Sequence, residues 1–373
     1  MKPRAASHHH KIAKRPAIAK RPATLRRPST LPSPAAKSPR WASFSDSALL
    51  DMRMCDLGLQ LENTMLHRCV EELYTELAVA GLGWKPHVWL SHSWFAKDGV
   101  PGFAVPFYLA HPRLIELERS QMLDVEGGTH NWCMRILRHE AAHALDTAFQ
   151  LFRTPTYRRF FGNYTKPYPD DYRPNPASRS HVIHLDLWYA QSHPAEDFAE
   201  TFAVWLAPGN KWRTDYAGWP AMKKLRAIES LVQQIARSKP LKRSKARPKE
   251  LSTLRMTLRD HYRSRVAFEC RDWPTLYDRD LRRVFTADKK PRNAQSAQQF
   301  ISQHRADIRA LVCRWTGASA LTIDRTLADM EIRCLLYGFH LAKPPAEART
   351  DIAMMLAVQT MNHLHGPGHR VPL

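Results

Sequence analysis

The sequence predicts an α+β fold with a mostly helical C-terminal region, and three observations lead to that reading. Two short stretches rich in β-formers, HVWLSHSWF and GFAVPFYLA, sit among longer amphipathic stretches before residue 236. Beyond residue 251, four stretches show helical spacing and little strand signal. Hydrophobic residues make up 44% of 373 positions, enough for a sizeable core. The chain therefore divides into a basic Pro-rich tail at 1–41, a mixed unit at 42–236, a basic linker at 237–250 and a helical region at 251–373.

The elements follow in order. Residues 48–80 space their apolar side chains three and four apart without a proline, which predicts an amphipathic helix broken once near Gly58. AKDGVPG separates the two β-rich stretches as a turn. A helix is expected over 112–122, then the punctuation DVEGG, then the helix THNWCMRILRHEAAHALDTAFQLF. Residues 153–180 have no clear period and read as a long loop. SHPAEDFAETFAVWL restarts a helix with Pro194 in its first turn, where proline is best tolerated. A further helix is expected over 220–237.

Charge is unevenly placed. Residues 1–41 hold 11 Lys or Arg and no acid, and 237–250 hold 7 against Glu250, so those two segments carry all but 4 of the net +21. The tail repeats the hexad IAKRPA and contains seven prolines, which predicts an extended disordered segment. Such a tail is expected to bind nucleic acid non-specifically through phosphates, or simply to keep the protein soluble. It lacks the apolar core of a secretory signal, and no run in the chain reaches membrane-spanning length. The six cysteines are dispersed with no C-x-x-C pair, as expected of small buried hydrophobes in a reducing cytoplasm.

The chemistry concentrates in RHEAAHALD. On a helix, His139 and His143 lie one turn apart on the same face and can grip one metal ion, with Glu140 beside them to reach a water. A catalytic zinc ion takes three protein ligands, so a third must come from another element. EDFAE offers Glu196 and Glu200, four apart and flanked by Phe198, Phe202 and Trp205, as a ligand and a partner for a ligating histidine. His181, His184 and His193 compete for the third position. Asp146, one turn after His143, is either a partner for that ring or a surface residue.

RILRHEAAHALD followed by YAQSHPAEDFAETFAVWL resembles a bacterial family of zinc-binding metallopeptidases and, more widely, the gluzincins, with two His and one downstream Glu on zinc. The spacing is similar to that of the anthrax lethal factor branch, where a Tyr precedes the ligand Glu by seven residues and a second Glu follows it by four. The resemblance covers roughly residues 85–210 and implies a zincin-like fold at 42–236, with a small mixed sheet, an active-site helix and a glutamate helix. It further implies Zn2+ held by His139, His143 and Glu196, Glu140 as general base, Tyr189 as oxyanion donor and Glu200 orienting His139. Ala142 stands where many relatives have Gly, and no zinc ribbon precedes the motif. The implied activity is peptide-bond hydrolysis on a protein or peptide substrate, which is expected to add as a strand to a sheet edge at 103–109. The competing function is a polyanion-binding protein with a structural zinc site.

Overall fold

A computed structural model of the chain describes residues 39–269, 277–288, 295–365 and 371–372. Two units are distinguished, 1–40 and 41–373. Of the first only Pro39 and Arg40 are described, so the basic tail expected at 1–41 lies almost wholly outside the described residues. Trp41 is buried in the second unit, and its indole Nε1 donates to Leu57 O at 2.9 Å.

The stretch expected as one broken helix is three pieces: α1 (Asp46–Leu50), a 3-10 turn at Met54–Leu57 and α2 (Met65–Val79). Gly58 makes the break in a left-handed conformation at φ +58°, which costs a glycine little. The Thr64 side chain then accepts from His67 N–H at 3.0 Å and starts α2.

Strands β1 (His87–Ser91), β2 (Phe95–Ala96) and β3 (Gly102–Pro106) form one sheet in the order β1-β3-β2. β3 runs parallel to β1 and antiparallel to β2. The expected substrate edge at 103–109 is therefore corrected: β3 is the middle strand, and all five of its residues are buried. Pro106 is accommodated at its last position, opposite Ser91, and Phe107–Ala110 leaves the sheet as a 3-10 turn. β2 is a sheet edge.

Helices α3 (Pro112–Met122), α4 (His130–Phe149), α5 (Pro155–Phe160), α6 (Pro194–Leu206), α7 (Trp212–Asp215) and α8 (Ala221–Ile235) follow. α5 interrupts the stretch expected as a loop. Thr154 caps it and Pro155 opens it, but six residues are too few to show a period. Beyond the basic segment the described residues form α9 (Leu258–Glu269), α10 (Asp278–Val284), α11 (Ala297–Thr316), α12 (Ala320–Leu336) and α13 (Pro345–His365), five α-helices where four helical stretches were expected. Among the described residues no helix is long and apolar enough to cross a membrane.

Two large apolar clusters hold most of these elements, with smaller ones around Trp212 and Trp89. The larger joins α2, the sheet, α3, α4, α6 and α8, and it also takes in Leu251, Leu258 and Tyr262 from beyond the basic segment. A second runs from Tyr277 to Leu356 through α10–α13. α9 is fastened to the first by Arg265, whose Nη1 donates to the fully buried Glu118 at 2.6 Å.

Helix α4 is fastened to α2 by an exposed pair, His130 with Glu72 at 2.8 Å, and by a largely buried one. Arg138 donates from Nε and Nη2 to the two carboxylate oxygens of Glu76 at 2.7 and 2.6 Å, with both side chains 10% exposed. A paired fork of this kind fixes the helix's rotation as well as its position. Arg138→Ala is expected to cost about 3 kcal/mol, because it strands a largely desolvated carboxylate. Arg138→Lys should recover part of that loss. Urea unfolding of both variants checks it, and a loss below about 1 kcal/mol for the alanine variant would contradict the lock.

Candidate metal centre

The site sits where α4 crosses α6. Thr129 caps α4 by accepting from Trp132 N–H at 3.3 Å, and the helix runs without Pro or Gly through His139 and His143. Ala141, Ala142, Ala144 and Ala148 are fully buried in the same cluster as Phe198, Ala199 and Phe202. Small residues on one helix and rings on the other allow close packing. The methyl of Ala142 belongs to that buried surface.

Three donor atoms converge. Glu196 Oε2 lies 3.1 Å from His139 Nε2 and 3.2 Å from His143 Nε2, and the two ring nitrogens are 3.1 Å apart. Bonds of about 2.0–2.1 Å to a tetrahedral zinc ion would set such atoms roughly 3.3 Å apart. His139 Nδ1 donates to Glu200 Oε1 at 2.7 Å, which leaves the Nε2 lone pair pointing at the other two atoms. A carboxylate oxygen and two imidazole nitrogens facing one another need a cation or added protons between them. His139, His143 and Glu196 thus form a candidate metal site with a donor set that suits zinc.

Electrostatics follow the same geometry. Burial alone would lower the His139 pKa, but its hydrogen bonds to Glu196 and Glu200 win and raise it well above the usual imidazole value. His143 is raised in the same way, against burial, by the charge and hydrogen bond of Glu196. Burial works against the Glu196 carboxylate too, but the two rings hold it well below the usual range. Burial raises Glu140, and its Oε2 is buried with no hydrogen-bond partner.

Glu200 has a second bond. Its Oε2 accepts from Leu185 N–H at 2.7 Å, and the chain then passes Leu187 and Trp188 at φ +56° and +54° before reaching Tyr189. Two successive non-glycine residues in the left-handed region are strained, at about 1–2 kcal/mol each. They turn Tyr189 into the cleft, with its ring 5.8 Å from that of His139. A cleft of about 220 Å³ is lined by Trp94–Asp98, His139, Glu140, His143, Tyr164, Tyr168, Tyr189 and Glu196.

The competing histidines are occupied elsewhere. His184 Nε2 bonds to Arg135 O at 3.0 Å, and burial lowers its pKa to about 4. His193 caps α6: its Nδ1 accepts from Ala195 N–H at 3.1 Å while Nε2 bonds to Lys166 O at 2.7 Å. His181 lies 3.9 Å from Asp197, on the side of Lys224. Asp146 does not serve His143; its Oδ1 accepts from Phe152 N–H at 2.8 Å and fixes the turn after α4.

Tyr168 was not anticipated. Its hydroxyl donates to Glu196 Oε1 at 2.6 Å, holding the carboxylate so that Oε2 faces the histidines. Its ring stacks on His193 at 3.8 Å. A lone tyrosine in a Tyr- and Pro-rich stretch gives no spacing that could reveal this contact.

Residues 133–265 match the family model described as "Putative zinc-binding metallo-peptidase". That match spans a little over a third of the chain and takes in the whole of the His139, His143 and Glu196 site. It ends at Arg265, the residue that grips Glu118. No curated protein and no solved structure matches the chain.

Two predictions rest on this geometry. Glu196→Gln should abolish tight zinc binding, whereas Glu200→Gln should weaken it only about 10–100-fold, since Glu200 orients His139 from behind. Titration against a competing chelator decides between them, and the reverse order would overturn the assignment. The second concerns pH. Both histidine pKa values are raised, so zinc must displace protons below those values, and affinity should climb as pH rises and fall as it drops. Calorimetry in buffers of different ionisation enthalpy should register proton release on binding; its absence near pH 6 would contradict the reading.

Proposed function

We propose that the protein is a zinc-dependent peptidase of the gluzincin type, with zinc held by His139, His143 and Glu196. The observation that carries this reading is the unpartnered, buried Oε2 of Glu140 in the same cleft as the three converging donor atoms. When bound there, zinc would supply Lewis-acid polarisation and bring the pKa of a water towards neutrality.

The remaining chemistry belongs to the chain's own groups. Glu140 takes the proton of the attacking water and hands it to the leaving amine nitrogen. Burial raises its pKa and suits it to both halves of that transfer. Tyr189 keeps its proton, because burial pushes the phenol far above its usual value, and its hydroxyl has no hydrogen-bond partner among the described residues. It is therefore available to donate to the developing oxyanion. Glu200 holds the His139 tautomer throughout, and Tyr168 holds Glu196.

A peptide has an open edge to join. Among the described residues β2 is bonded to β3 alone, and Phe95 and Ala96 line the cleft. An extended substrate adding beside them would enter the cleft that holds the three donor atoms.

Glu140→Gln should keep zinc and fold while hydrolysis of an unstructured protein such as casein falls at least about 100-fold. Tyr189→Phe should reduce kcat by a similar order with KM little changed. Undiminished cleavage by the zinc-loaded Glu140→Gln variant, against a reproducible wild-type rate, would falsify the general-base role.

A further inference from the structure

The basic segment expected as a linker is a strap tied down at both ends. Leu241 and Lys242 N–H both donate to Ala148 O, at 2.8 and 3.0 Å, near the end of α4. Further along, the carbonyls of Ala246, Pro248 and Lys249 accept from His87 Nε2 at 2.9 Å, Trp89 Nε1 at 3.0 Å and Ser91 Oγ at 2.6 Å. His87, Trp89 and Ser91 alternate along β1, so the strap crosses the face of that strand opposite the one carrying Leu90 into the main core.

Its side chains do the reverse of its backbone. Arg237, Lys239, Lys242, Arg243, Lys245, Arg247 and Lys249 are all exposed. Arg247 alone meets a carboxylate, Glu250 at 2.9 Å; the other six have no acidic partner among the described residues. So dense a run of like charge repels itself and favours a mobile, solvated chain. Five side-chain and backbone bonds to the folded unit hold it on one path instead. The backbone that carries the cations is thereby held in place, and ligand binding forfeits little of its conformational entropy.

We propose that the strap 237–249 binds the phosphate backbone of nucleic acid. Six uncompensated, exposed cations on one surface strap suit a polyanion, whose bound counterions they would release. Leu241 is the strap's one exposed large apolar side chain, too little to anchor it in a lipid surface. None of the cleft-lining residues belongs to the strap, so this site is separate from the candidate metal centre and independent of the peptidase reading.

The test uses the full chain and a variant with Lys239, Lys242, Arg243 and Lys245 each changed to Gln. Fluorescence anisotropy with a labelled 20-base-pair DNA duplex is recorded across a KCl series, beside sedimentation with phosphatidylserine vesicles. Four lost phosphate contacts should make the slope of log K against log[salt] shallower by about 3–4, with affinity at about 50 mM salt at least tenfold weaker. Zinc content should not change. An unchanged slope and affinity for the duplex would overturn the proposal, as would a loss confined to the vesicles. Should the fourfold variant lose its fold, the Lys239→Gln, Lys245→Gln pair serves instead, with an expected slope change of about 2.

Discussion

One carboxylate holds the candidate site together. Glu200 is fully buried, and its two oxygens face two different tasks: Oε1 accepts from His139 and Oε2 from the Leu185 amide. The first bond fixes which nitrogen of His139 is free to ligate. The second pins the start of the loop that delivers Tyr189. A buried charge costs several kcal/mol unless its lone pairs are satisfied, and these two charge-assisted bonds satisfy it. Ligand geometry on α4 and the position of a tyrosine some fifty residues later are therefore set by the same side chain on α6.

That dependence explains the shape of the surrounding packing. α4 must present His139 and His143 at a fixed rotation, and the Arg138–Glu76 fork supplies the restraint from the α2 side. α6 must present Glu196 and Glu200 together, and its N-terminus is held by the His193 cap, on which Tyr168 stacks. Tyr168 then closes the circuit by bonding the ligand carboxylate itself. Two of the three candidate ligands, His139 and Glu196, are thus held by side chains outside the donor set, Glu200 and Tyr168, an arrangement that keeps a site pre-formed.

The sequence disclosed those parts of this arrangement that are local. The four-residue spacing of His139 and His143, and again of Glu196 and Glu200, is helix geometry, and both helices form where expected. Pro194 and the Gly58 break were legible for the same reason. What depended on distant contacts was not. Pro106 removes one backbone donor and so suits 103–109 to a sheet edge, yet β1 and β2 bond to both sides of β3. The histidines at 181, 184 and 193 looked equivalent until their partners at Asp197, Arg135 and Lys166 fell into place. Leu258 and Tyr262 carry no mark that would separate them from the helices after them, although they pack into the first core.

The strained turn at Leu187 and Trp188 is the feature least expected from composition, because neither residue is glycine. A glycine there would remove the strain but leave the loop free to sample other conformations. Leucine and tryptophan restrict it, and the Glu200–Leu185 and Tyr172–Leu187 hydrogen bonds hold the restricted form on either side. The loop therefore has few alternatives once α6 is in place. Strain of about 1–2 kcal/mol at each residue is the energetic cost of delivering Tyr189 in one orientation. In the proposed peptidase, a hydroxyl that donates to a transient oxyanion would gain from that rigidity, since its own reorganisation would otherwise add to the barrier.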